Sequence, residues 1–135
     1  MMRNYVPDWT DWGISRERYR ELLAFARQYP QKKAEAASLL TIGGAGIDDM
    51  PHGTDPGDPT LRAVMRREQL VKDIDMIERC ARQVDGGRWY TALIQNICMG
   101  KAYDYIDPTI LPTSKRPTFY RQRRSFFLLL DQERK

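Results

Sequence analysis

Between Asp58 and Gly87 the chain carries apolar residues at the steps of a helix and little that would interrupt one. Leu61, Val64, Leu70, Val71, Ile74, Ile77, Ala81 and Val84 recur at three- and four-residue spacings, the repeat that lines one face of an α-helix. Asp58 followed by Pro59 is a strong start signal, because an acidic N-cap accepts the free N–H groups and proline at the first helical position has no donor to waste. Gly86-Gly87 closes the run. A helix of roughly two dozen residues spans on the order of 35 Å. An apolar stripe of that length requires a long partner, either another helix folded back as an antiparallel hairpin or a second copy of itself in a dimer.

A partner lies upstream. Ser15 is suited to cap a helix in which Tyr19, Leu22, Leu23, Ala26 and Tyr29 share a stripe, while Arg16, Arg20, Glu21 and Arg27 face water. Pro30 removes a backbone donor and crowds the turn before it, so the helix is expected to break or kink there. Gln31 to Ile42 reads as a second helix with Ala34, Ala37 and Leu40 in register. Ahead of both, Tyr5, Trp9 and Trp12 are too apolar for a free tail and are expected to pack back onto the helices. Gly43 to Gly57, opening Gly-Gly-Ala-Gly, reads as a flexible loop between an N-terminal part, residues 1–42, and the long helix, residues 58–87.

Residues 88–135 are built of shorter pieces. Arg88 to Met99 is helical with Trp89, Tyr90, Leu93, Ile94 and Ile97 inward, and Gly100 stands where a helix ends. Lys101 to Ile106 is at most a turn or two, and Thr109 to Pro112 forms a tight connection. Thr113 or Ser114 is expected to cap a last helix running to about Gln132, in which Pro117 is tolerable because it falls in the first turn. Phe119, Phe126, Phe127 and Leu130, with Leu128 or Leu129, would anchor this helix to the core. No segment alternates as a strand would. The fold class is all-α: a helical hairpin around a long central helix, plus a C-terminal helix-turn-helix-like module.

The charge is unevenly placed. The whole chain has 22 Lys and Arg against 18 Asp and Glu, and residues 88–135 alone hold nine against four, so the earlier segments are close to neutral. Thr113 to Ser125 contains Lys115, Arg116, Arg121, Arg123 and Arg124 with no acidic residue. Such asymmetry points to a polyanion, most often nucleic acid. A membrane partner is not expected, since no purely apolar run is longer than Phe126 to Leu130. The start of the chain has no apolar signal region, so the expected compartment is the cytoplasm, with Cys80 and Cys98 reduced and buried.

In a helix-turn-helix the N-terminal residues of the last helix approach base edges and flanking cations hold phosphates. That places Ser114, Lys115, Arg116 and Thr118 nearest the bases, with Tyr120, Arg121, Gln122 and Arg124 on phosphate or base. The run from Leu93 to Ile106, followed by Pro112-Thr113-Ser114 and the run from Phe119 to Phe127, resembles the C-terminal part of the RinA and ArpU late-gene activators of Firmicutes phages. The resemblance implies a promoter-reading module similar to that of sigma factors, with double-stranded DNA and host RNA polymerase as partners. It covers about the last third of the chain, as a pattern of an apolar helix, a glycine, a short helix, a serine and a Tyr/Arg-rich helix. Asp107-Pro108, Pro112 and Pro117 depart from it.

Other chemistries find less support. Asp48, Asp49, His52, Asp55 and Asp58 are potential metal ligands, but their spacing fits no EF-hand, His-x-x-x-His or catalytic zinc pattern. Gly43 to Gly46 lacks the Lys-Ser/Thr of a phosphate loop, and with a single histidine no catalytic pairing stands out. The expectation is a protein without enzymatic activity, cofactor or metal: a sequence-specific DNA-binding regulator of phage or prophage type, possible as a homodimer. A small terminase subunit, which brings DNA to a packaging motor, is one alternative. A mobile-element adaptor or inhibitor that binds a host protein or a nucleoprotein complex is the other.

Overall fold

The structure, a computed structural model, describes residues 13–45 and 58–135. Over these residues the protein is all-α, with no strand. Its helices are α1 (Arg16–Arg27), α2 (Tyr29–Ala45), α3 (Pro59–Gln83), the short α4 (Tyr90–Leu93) and α5 (Arg116–Glu133). Tyr5, Trp9, Trp12 and the 46–57 stretch, with Asp48, Asp49, His52 and Asp55, lie outside the described residues.

Ser15 caps α1, its side chain accepting the Arg18 N–H at 3.0 Å. The chain breaks at Gln28, ahead of Pro30, and Pro30 sits in the first turn of α2, where a missing donor costs no intrahelical bond. The second helix therefore exceeds Gln31 to Ile42 at both ends. It continues through Gly43 and Gly44, so the segment expected to be a loop from Gly43 begins as helix. Each glycine there costs about 1 kcal/mol relative to alanine, a cost that the preceding turns can carry. Starting at Tyr29 also sets the phase: Tyr29 and Ala36 are buried, while Ala34 and Ala37, expected inward, are exposed.

α2 and α3 form an antiparallel hairpin, the most extensive packing between any two elements. Much of its seam is ionic. Lys33 Nζ lies 3.7 Å from Glu78, Lys32 Nζ 2.7 Å from Asp73, and Arg66 Nε 2.9 Å from Glu35, while the Arg67 guanidinium donates to the Ala36 carbonyl. Arg66 and Asp73 thus tie α3 to α2, and Asp73 also accepts from Gln69 one turn back on its own helix at 3.1 Å. Asp58 caps α3 as expected, accepting the Thr60 N–H at 2.8 Å.

One hydrophobic core joins the N-terminal, central and C-terminal segments. Leu22, Phe25 and Ala26 from α1, Ile77 and Ala81 from α3, and Trp89, Leu93 and Ile97 meet Phe119, Phe126, Phe127 and Leu130 of α5. Each fully buried Phe of this kind stabilises the fold by about 1.5–3 kcal/mol. Leu129, half-buried, completes the α5 stripe, whereas Leu128 is exposed. Val64 and Val71 of the long-helix repeat are also exposed, because α2 and α5 cover the other side of α3.

The turn after α3 aims the C-terminal part. Asp85 adopts φ +47°, a left-handed conformation rare for a residue with a Cβ. Its carboxylate offsets that cost by accepting the Trp89 indole N–H at 2.9 Å and Arg88 at 3.1 Å. α4 then widens into a π-type turn over Ile94–Cys98 and stops at Gly100, whose φ of +72° is open to glycine.

Candidate nucleic-acid interface

α5 begins one or two residues later than its capping residues suggested. Lys115 occupies the cap position without a side-chain bond, and Thr113 Oγ1 instead accepts the Lys115 N–H at 3.2 Å. The cause is Pro117, which fits at the second helical position but not deeper. Neither a capping side chain nor an acidic residue of the first turn offsets the positive end of the helix dipole.

The eight residues proposed to touch DNA do not share one environment. Ser114, Lys115 and Arg121 are exposed, and neither cation has a carboxylate within ion-pair distance among the described residues. Thr118 is partly exposed and falls with Arg121 and Ser125 on one stripe, at helical spacing, while Ser114 lies just ahead of the helix. Gln122 and Arg124 are half-buried. Arg116 and Tyr120 are engaged by neighbours: Arg116 pairs at the surface with Asp104 and lies 4.9 Å from the centre of the Tyr103 ring. Tyr120 packs 5.4 Å from Phe119, edge to face, and 6.2 Å from Tyr103.

Tyr103 holds the connecting segment to the helix. Its ring packs 5.1 Å from Phe119, and its hydroxyl donates to the Ser114 carbonyl at 3.3 Å. Between Cys98 and Arg116 the chain makes two single turns of 3₁₀ helix, Tyr103–Tyr105 and Pro108–Ile110. Asp107 starts the second, taking both the N–H and the hydroxyl of Thr109 at 2.9 and 2.8 Å; those bonds, with the nearby Lys101 cation, hold its carboxyl below the usual range.

Arg123, set apart from the DNA-facing residues on sequence grounds only by omission, is the hub beneath this surface. It donates to Asn96 Oδ1 at 2.9 Å and to the Tyr19 hydroxyl at 2.8 Å, and its guanidinium lies 5.0 Å from the Phe127 ring. Asn96 in turn donates to the Lys101 carbonyl at 2.9 Å. A signal for this role exists in the sequence, since Arg123 stands four residues from both Phe119 and Phe127 and so shares their inward face.

No protein-family profile, curated protein or solved structure matches the chain. Among the described residues no three His, Cys, Asp or Glu side chains are grouped to hold a metal, and no helix is long and apolar enough to cross a membrane.

Proposed function

We propose that this protein binds duplex DNA through the outward face of α5 and acts as a transcription regulator of phage or prophage type, by binding and not by catalysis. The observation that carries this is the stripe of Thr118, Arg121 and Ser125 on α5, with Ser114 and Lys115 just ahead of it and no acidic residue between Thr113 and Ser125. Small hydroxyls, and cations with no carboxylate partner among the described residues, are groups that read base edges and hold phosphates when a helix presents them outward. The resemblance to RinA- and ArpU-type activators supports the same assignment, with host RNA polymerase as a second partner. Val64, Met65 and Val71, exposed on the outer side of α3, support self-association through the long helix. Two heads on one dimer would address paired half-sites.

The test is retention of genomic fragments by the purified protein over stepped salt, with Lys115→Ala and Arg121→Ala alongside. The wild type is expected to hold DNA at low salt and release it steeply as salt rises, each variant lowering the slope of log affinity against log salt by about 1. Absence of DNA binding at any salt overturns the proposal in favour of a protein-binding adaptor. DNA binding by a large ring, seen as mass in size-exclusion light scattering, would move it to a packaging subunit.

A further inference from the structure

Tyr105 is the most exposed large apolar side chain among the described residues, at 77% of its full accessibility. Its backbone is not loose. Tyr103, two residues before, is pinned against Phe119 and Ser114, and Ile106, immediately after, is buried in the core. Asp104, between them, is paired with Arg116 at the start of α5. The Tyr105 N–H closes the turn on the Ala102 carbonyl at 2.9 Å. Anchors on both sides hold the backbone that carries the ring, so meeting a flat ligand there costs little backbone freedom.

The surroundings select the ligand. The two acidic groups of this segment are already engaged, Asp104 with Arg116 and Asp107 with Thr109 and the nearby Lys101 charge. Lys115, exposed and with no carboxylate within ion-pair distance among the described residues, stands between Ser114 and Arg116, both of which touch this segment. An exposed aromatic ring on an anchored backbone beside a cation is an arrangement that receives a base on its face while a phosphate meets the charge.

We infer that Tyr105 is a stacking finger for a nucleobase taken out of its helical stack, so that the protein prefers DNA with a locally opened step over a fully paired duplex. This rests on the DNA-binding role of α5: the helix supplies charge and groove contacts, and Tyr105 supplies the preference for an opened step. Stacking on one base fixes the scale of the effect at about tenfold in affinity.

The probes are a synthetic duplex of mixed sequence at low salt and the same duplex carrying a short central unpaired bubble, read by fluorescence anisotropy. The wild type is expected to bind the bubble about tenfold more tightly. Tyr105→Phe retains that preference because the ring remains. Tyr105→Ala loses it, binds the paired duplex as the wild type does, and keeps the wild-type circular dichroism and melting curve. Arg121→Ala weakens both probes equally. A wild type that binds the duplex without preference for the bubble, or a Tyr105→Ala protein that keeps the preference, overturns the stacking role and leaves the α5 assignment standing. Failure of the wild type to bind either probe overturns both.

Discussion

Arg123 Nε donates to Asn96 Oδ1 at 2.9 Å, which fastens the middle of the basic helix to the widened end of α4. Through its second contact, to the Tyr19 hydroxyl at 2.8 Å, the same guanidinium reaches α1. A cation in the most basic stretch of the chain is therefore spent on architecture. Arg123→Ala is expected to lower stability by about 1–3 kcal/mol, the usual cost of removing hydrogen bonds from a charged group and leaving partners unmet. Urea unfolding measures it. Arg121→Ala, two residues away and exposed, should leave the unfolding midpoint in place while weakening DNA binding.

Asp104 is the acidic neighbour that restrains Arg116 at the open end of α5. The pair is exposed and adds little to stability, but it cancels one positive charge where phosphates would arrive. Asp104→Asn should raise affinity for duplex DNA at low salt and steepen its salt dependence, with an unchanged melting curve. Anisotropy titrations at several salt concentrations decide it. An affinity equal to or below the wild type would show that Arg116 does not face the DNA.

The long helix depends on its first residue. Asp58 Oδ1 accepts the Thr60 N–H, and no acidic residue within the first turn can take over that role. Asp58→Ala should cost about 1 kcal/mol, whereas Asp58→Ser should keep most of the capping bond. Thermal melts of the three proteins provide the comparison.

How far the sequence reaches is set by the kind of interaction involved. The caps at Ser15 and Asp58, the stop at Gly100 and the apolar side of α5 are local in origin, a side chain answering a backbone a few residues off, and they are legible without a structure. The seam between α2 and α3 is not. Lys32 and Asp73 lie 41 positions apart, and nothing in the local pattern of either helix names the other as its partner. The phase of α2 is hidden for a related reason: an alanine stripe is weakly apolar on every side, so Tyr29 and the ion pairs decide which face turns in. At the candidate interface the basic run was legible as composition. Its division into outward Lys115 and Arg121, restrained Arg116 and structural Arg123 depends on Asp104, Asn96 and Tyr19, which approach from elsewhere in the chain.

Cys80 and Cys98 both lie in the core as free thiols, and burial pushes Cys80 up to about 11 and Cys98 up to about 12 from an ordinary value of 9.0. In the folded protein both should remain protonated at neutral pH and react slowly with an alkylating reagent. In denaturant the same two groups should react fully. The pH dependence has a definite sign. Unfolded thiols ionise near their ordinary value, so between about pH 9 and about pH 11 the folded state holds more protons than the unfolded one. Stability must then fall as pH rises through that window, and these thiols contribute no slope below it. Replacing both by alanine should lower stability at neutral pH, because buried volume is lost, and should flatten the alkaline decline. Urea unfolding at stepped pH, on the wild type and the double variant, tests both parts: an alkaline slope that survives the double replacement would assign it to other groups.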